Sequence, residues 1–298
     1  MSSITELFDL TGKTAIVTGA SYGLGVVFAE ALASQGAQLV LAARSEDKLN
    51  GLCQKLRSAG HEAVAVKCDV SDSAQVRALM EAAASRFDRI DILVNNAGVA
   101  ADSGMLPERV PDEAFASTVQ VNLLGLWYCC RYAAHSMLSD GKGGSIINTA
   151  SVAGLIGVGN FPPAYQATKA AVINLTRNLA CSWADRNVRV NALAPGWFPS
   201  EMTGPAFSAP GFLDWAAGFA PMGRIGQPAE LAPALIFLAS EASSFVTGQV
   251  LAVDGGLSAG SERWPESARA FFEAAGLGDL ARPIQPASSR PVTPASAD

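Results

Sequence analysis

The sequence predicts an α/β fold, a doubly wound parallel sheet with helices on both faces, and three observations carry that prediction. Short runs rich in Val, Ile, Leu and Ala alternate with longer stretches whose apolar residues recur at helical spacing, joined by short connections. A glycine-rich turn follows the first run directly, so the chain reads strand, tight turn, helix. Polar residues stand at the ends of successive runs, where open parallel sheets hold their ligands.

Residues 13–18 (Lys-Thr-Ala-Ile-Val-Thr) are β-prone, and Gly19-Ala20-Ser21-Tyr22-Gly23-Leu24-Gly25 leads into an apolar-periodic helix over 26–35. Glycines there permit a tight turn and close backbone approach, while free N–H groups at the start of the helix form a site for a pyrophosphate. A strand over 38–42 ends at Ala43-Arg44-Ser45 before a helix over 46–59. A third strand, 62–67, closes on Cys68-Asp69-Val70 before a helix over 73–87, and the strand at 90–94 ends in Asn95-Asn96-Ala97-Gly98. The helix predicted over 112–136 contains Asn122, an amide in an apolar stretch that fits either a helix irregularity or a functional contact. A strand over 145–149 delivers Ser151 at its carboxyl end; a Gly- and Pro-rich loop covers 152–163; the next helix bears Tyr165 and Lys169 and runs to Trp183. A sixth strand, 188–193, ends in Ala194-Pro195-Gly196, a looser segment fills 197–225, and a helix over 229–240 leads to a last strand at 250–253 before Asp254-Gly255-Gly256. Residues 1–260 are thus expected to form one domain. Beyond them the composition turns to Pro, Ala, Ser and Arg, so 261–298 reads as a partly disordered extension with one short helix over 266–275.

A chain of 298 residues, 49% of them apolar, is ample for one well-buried core. The net charge of -6 comes without a Lys/Arg-rich run, which argues against nucleic acid and membrane surfaces and for a small-molecule partner. Cys53, Cys68, Cys129, Cys130 and Cys181 are odd in number and lack CxxC or Cys/His spacing, so neither a disulfide framework nor a metal site is indicated. Reduced thiols, the absence of a basic-then-apolar leader in the first residues and of any apolar run of ~18 residues set the expectation of a cytoplasmic protein. His61 and His135 stand outside all the strand-end motifs, which leaves a histidine triad or a metal-hydroxide mechanism without support.

The strongest chemical signal is Tyr165-Gln166-Ala167-Thr168-Lys169. Positions i and i+4 share one face of a helix, so a phenol and an ammonium at this spacing point into the same space. A cation beside a tyrosine favours the phenolate, and the expectation is a Tyr165 pKa drawn down from ~10 toward the range of a general acid/base.

With these residues assembled, the chain resembles the short-chain dehydrogenase/reductase superfamily, a Rossmann-type dinucleotide-binding family, from about residue 10 to 258. The resemblance rests on Thr18 to Gly25 matching TGxxxGxG, on Asn95-Asn96-Ala97-Gly98, and on Asn122, Ser151, Tyr165, Lys169, Pro195-Gly196 and Asp254-Gly255-Gly256 in family order. One departure is that Ser151 and Tyr165 stand one position further apart than is familiar in the family, which puts an extra residue near Phe161-Pro162-Pro163. The resemblance implies that Tyr165 is the acid/base, that Lys169 lowers its pKa and holds the nicotinamide ribose, that Ser151 hydrogen-bonds the substrate oxygen, and that Asn122 supports a water relay behind Lys169. It implies cofactor contacts from Gly19, Ser21, Tyr22, Gly23, Leu24 and Gly25. Further contacts are implied from Arg44, Ser45, Asp69 and Val70, from Asn95, Ala97 and Gly98, and from Pro195, Gly196, Phe198 and Ser200, besides Tyr165 and Lys169. Its relatives pair through the helices that here hold Asn122 and Tyr165, implying a homodimer or homotetramer.

The expected function is an NAD(P)(H)-dependent oxidoreductase interconverting a secondary alcohol and a ketone. For the cofactor, Leu41-Ala42-Ala43-Arg44-Ser45 offers no carboxylate before Glu46 to accept a ribose 2′-OH, whereas Arg44 and Ser45 suit a 2′-phosphate; NADP(H) is expected, with NAD(H) as the weaker ligand. Tyr22 stands where many NADP-preferring relatives have a second basic residue, which softens the discrimination. The largely aromatic run Trp197, Phe198, Phe207, Phe212, Leu213, Trp215 and Phe219 predicts an apolar substrate pocket, or a packed flap or oligomer contact. Two other functions fit less well. Reduction of a carrier-linked 3-oxoacyl group would want a basic landing patch, and only scattered Arg131, Lys142 and Arg186 offer one. A non-catalytic dinucleotide sensor or assembly subunit is disfavoured by the intact Asn122, Ser151, Tyr165 and Lys169 set.

Overall fold

The apolar runs become strands β1 Thr14–Thr18, β2 Gln38–Ala43, β3 Ala63–Lys67, β4 Ile92–Asn95, β5 Gly144–Thr149, β6 Val188–Pro195 and β7 Val250–Val253. In this computed structural model, which describes residues 3–139, 141–199, 210–260 and 274–276, they form one sheet ordered β3-β2-β1-β4-β5-β6-β7, every neighbouring pair parallel. Successive side chains of a strand leave on opposite faces, so a strand covered on both sides must be apolar throughout. β1 shows this: Ala15 and Val17 join the core layer on one face and Ile16 the layer on the other. The first layer is completed by Phe28 and Leu32 of helix α1 (Leu24–Ser34) and by Leu49 and Leu52 of α2 (Glu46–Ser58). The second takes Leu79 of α3 (Ser73–Phe87) and, from further along the chain, Met137 and Val172.

The sheet order reverses between β1 and β4, and the carboxyl ends of these two neighbours open a crevice there. Helix α1 starts at Leu24, two residues before the sequence suggests, because Gly23 takes a φ of 59° that glycine adopts without strain and so turns the chain directly into the helix. The helix expected over 112–136 is broken into α4 (Asp112–Val119), a π-helical turn (Gln120–Gly125) and α5 (Leu126–Ser139). Asn122 supplies the reason: its carboxamide accepts from the Val99 N–H and donates to the Val99 carbonyl, both at 2.8 Å, which draws this turn toward the loop after β4. Helix α6 (Pro163–Trp183) follows a short 3₁₀ turn at Val152–Gly154. Within the segment expected to be loose, α7 (Phe212–Phe219) is a regular helix, and α8 (Ala232–Ala239) continues from a 3₁₀ turn at Pro228–Leu231. The short helix and disorder expected after residue 260 lie almost wholly outside the described residues, as do Ser200 and Phe207. Among the described residues no helix is long and apolar enough to cross a membrane.

Candidate active site

The glycine turn and the end of β4 are built against each other. A Cβ on Gly19 would lie 2.8 Å from the Ala97 Cα, and one on Gly25 would collide with the Gly19 carbonyl. The Asn96 carboxamide donates to the Thr18 carbonyl at 3.1 Å and the Gly19 carbonyl at 3.2 Å, and the Thr18 hydroxyl accepts from the N–H groups of Asn96 and Ala97. These bonds fix a backbone cradle at the start of α1, where unpaired N–H groups and the positive end of the helix suit a pyrophosphate.

One cleft runs from this cradle along the carboxyl ends of the strands. Gly19, Ser21, Tyr22, Gly23 and Leu24 line its first part. Arg44 and Ser45 after β2, with Asp69 and Val70 after β3, line the flank that would receive an adenosine. Arg44 is exposed, and the Asp69 carboxylate accepts from the Ser71 N–H at 3.0 Å and its hydroxyl at 2.6 Å, which shapes that loop. Further on come Ala97 and Gly98, then Ser151, Tyr165 and Lys169; Pro195, Gly196 and Phe198 line the cleft after β6. Glycine cradle, open helix N-terminus and a β2 end without a carboxylate together fit a dinucleotide.

Three residues expected at the cofactor or the catalytic centre do not line this cleft. Gly25 is buried in the contact between the turn and α1, where the missing side chain allows close packing. Asn95 is a correction: it is the last residue of β4, 3% exposed, and its side chain points into the core, donating to Asn148 Oδ1 at 2.9 Å. Strand alternation decides this, since Asn95 faces the same side as Leu93, and it is Asn96, beyond the strand, that reaches the cleft. Asn122 lies one layer behind, 1% exposed, with a further bond from its Nδ2 to the Thr168 hydroxyl at 3.3 Å.

Tyr165 and Lys169 share one face of α6, as their spacing requires, with the Lys169 Nζ 5.5 Å from the centre of the Tyr165 ring. Lys169 is 4% exposed; burial lowers its pKa to about 8, and its Nζ donates to the Thr149 carbonyl at 2.6 Å. Tyr165 departs from the sequence expectation. Burial pushes its phenol above the ordinary value of 10.0, and the opposing influence is its hydrogen bond with Ser151 rather than the lysine. The Lys169 ammonium is itself poorly solvated and turned to the end of β5, so it does not offset the burial of the phenol. Ser151 is extended, φ −167°, and its hydroxyl accepts from the Ala153 N–H at 3.2 Å, which aims it across the cleft. A phenol, a hydroxyl and an ammonium thus converge at the end of β5 and can bind an oxygen and move one proton.

Sequence reading missed Thr149, whose carbonyl holds Lys169, and Asp102, a fully buried carboxylate at the start of α6. A backbone carbonyl leaves no trace in residue type. Asp102 lies in an irregular loop, where an Asp reads as an ordinary turn residue.

A family model described as enoyl-(acyl carrier protein) reductase matches residues 19–258. The chain is 39% identical over 247 residues to cis-4-hydroxycyclohexanecarboxylate dehydrogenase of Sinomonas cyclohexanicum, covering 83% of this chain and 97% of that protein. It is 38% identical over 251 residues to the 3-oxoacyl-[acyl-carrier-protein] reductase of Synechocystis, covering 83% and 98%. The crystal structure of a gluconate 5-dehydrogenase from Burkholderia cenocepacia in complex with NADP and tartrate superposes with a TM-score of 0.83 at 37% identity, covering 87% of this chain and 100% of that one.

Proposed function

The chain belongs to the short-chain dehydrogenase/reductase family and is an NAD(P)-dependent oxidoreductase that interconverts a secondary alcohol and a ketone, and within that family we propose that it works on apolar carbonyl compounds with NADP(H), Tyr165 serving as acid/base. The bound dinucleotide supplies or accepts the hydride. The residues of the chain do the rest. Ser151 binds and orients the substrate oxygen, and Tyr165 gives that oxygen its proton in reduction and takes it back in oxidation. Lys169 holds the ribose and is itself held by the Thr149 carbonyl. The observation that carries this reading is the convergence of Ser151, Tyr165 and Lys169 in the same cleft as the glycine cradle.

An apolar substrate is supported by a ladder of rings that starts at Tyr165. Phe161 meets Tyr165 edge-on at 6.0 Å and Trp197 at 5.9 Å; Trp197 in turn meets Phe212 at 5.7 Å and Trp215 at 5.6 Å. Of these rings Tyr165 lines the cleft and the others extend from it; such a surface offers area and ring edges but few hydrogen bonds to a hydroxylated chain. NADP(H) over NAD(H) is supported by Arg44 and Ser45 at the end of β2 and by the lack of a carboxylate there. A carrier-linked 3-oxoacyl substrate is the second reading, favoured by the similarity to the Synechocystis enzyme. Against it, Arg131, Lys142 and Arg186 do not line the cleft, and Arg131 lies over the Tyr132 ring at 4.4 Å.

The test is dinucleotide absorbance with cyclic ketones, sugar acids and a 3-oxoacyl thioester, each with both cofactors. Cyclic ketones with NADPH should give the highest kcat/KM, and Arg44→Asp should lower NADPH affinity by roughly tenfold or more while sparing NADH. Preference for a sugar acid would remove the apolar reading, and tighter NADH binding by the unaltered protein would remove the cofactor reading.

A further inference from the structure

Helix α6 carries Tyr165 on its first turn, yet it begins without a cap of its own. Pro162 precedes it, Pro163 is its first residue, and no side chain adjacent in sequence satisfies the N–H groups that follow. A carboxylate 62 residues away does so: Asp102 Oδ2 accepts from the Ala164 N–H at 2.7 Å and from the N–H of Tyr165 itself at 3.4 Å. Asp102 is wholly buried, and its other oxygen accepts from the equally buried Thr118 hydroxyl at 3.3 Å. Burying a carboxylate is costly unless donors surround it. Here the donors are the positive end of α6 and a hydroxyl of α4.

The same carboxylate ties Tyr165 to the cofactor side of the cleft. Its loop leaves β4 through Gly98 and Val99, which line the cleft, and is pinned at three points: Val99 by Asn122, the Ala101 N–H by the Thr118 hydroxyl at 3.2 Å, and Asp102 by α6. Gly98 passes close enough to Lys169 that a Cβ there would sit 3.7 Å from its Nζ. Movement of the start of α6 against this loop would therefore move the phenol relative to the bound dinucleotide.

We propose that Asp102 is a positioning residue for the reaction, a cap supplied from the loop after β4 that fixes Tyr165 relative to the cofactor. It acts through hydrogen-bond acceptance at the Ala164 and Tyr165 N–H groups and touches neither substrate nor cofactor. The inference rests on Tyr165 as the acid/base.

The experiment compares Asp102→Ala, Asp102→Asn and Tyr165→Phe by three readings: cyclohexanone reduction, NADPH affinity by fluorescence, and hydrogen–deuterium exchange over residues 163–169. Asp102→Ala should bind NADPH as the unaltered protein does, lose roughly tenfold to a hundredfold in kcat and exchange faster over 163–169. Asp102→Asn keeps a carbonyl acceptor and should restore both kcat and protection. Wild-type kcat and protection in Asp102→Ala, or an Asn variant as impaired as the Ala variant, would overturn the proposal. Where Asp102→Ala does not fold, the pair Asp102→Asn and Thr118→Val is read instead: protection kept in the first and reduced in the second supports the cap, and the reverse order overturns it. An active Tyr165→Phe would remove the acid/base reading while leaving the exchange result; an inactive Tyr165→Phe beside a fully active Asp102→Ala would remove this inference alone.

Discussion

Burial sets the Lys169 ammonium at a pKa of about 8 against an ordinary value of 10.5, so in the folded chain its charged form costs free energy that the unfolded chain is spared. The sign follows from proton counting. Between about pH 8 and 10.5 the unfolded chain holds a proton that the folded chain has released, so this group's penalty is fully present below pH 8 and is relieved as pH rises toward 10.5. The change is at most about 3 kcal/mol. Lys169→Met removes the titration, and urea unfolding should show the unaltered protein gaining stability relative to the variant from pH 7.5 to 10. A difference independent of pH would contradict the burial argument. On the proposed reading that Lys169 holds the ribose, the same variant should lose dinucleotide affinity and, with the nicotinamide no longer held in place, turnover as well. The i,i+4 spacing made this pair legible in the sequence, since helical geometry alone brings the two side chains to one face. The upward direction of the Tyr165 pKa was not legible, because it depends on how deeply the assembled cleft buries the phenol. Nor was the choice of Asn96 over Asn95, which turns on where β4 ends.

Among the elements, α7 would bear most on specificity under the proposed apolar reading, since it brings Phe212, Trp215 and Phe219 to Trp197 and, through Phe161, to Tyr165. Gln166 braces the Phe161 end of this ladder, accepting from the Val158 N–H at 2.8 Å and donating to the Val158 carbonyl at 3.0 Å. Trp197→Ala removes the ring on which both halves meet. It should lower kcat/KM for cyclic ketones by at least tenfold while leaving NADPH affinity intact, in keeping with the ~3–5 kcal/mol cost of deleting a packed aromatic, part of which appears in substrate binding. An unchanged preference among ketones would detach the ladder from the substrate. The aromatic run itself was plain in the sequence, but its proline and glycine content concealed a helix of eight residues. The π-helical turn was hidden for another reason: the periodicity of residues 112–136 is continuous, and the break coincides with long-range bonds, those from Asn122 to Val99 among them, that no local pattern announces. Strands and the order of elements were legible because a sheet covered on both faces demands apolar residues at consecutive positions, a requirement few other structures impose.

At the scale of the whole molecule, the parallel sheet separates binding from chemistry. On the proposed reading, the cradle at the ends of β1 and β4 and the flank after β2 and β3 would hold the dinucleotide, while β5 and α6 present Ser151, Tyr165 and Lys169 from the other side of the sheet reversal. Loss of the phenol hydroxyl should therefore leave the fold and cofactor site untouched and stop proton transfer. The most direct measurement is the turnover of Tyr165→Phe, taken alongside its NADPH affinity and thermal unfolding. The account predicts unchanged folding, NADPH bound as before, and kcat reduced by at least the ~10²–10⁴ of a lost general acid/base; near-normal turnover in a folded, NADPH-binding Tyr165→Phe would contradict it.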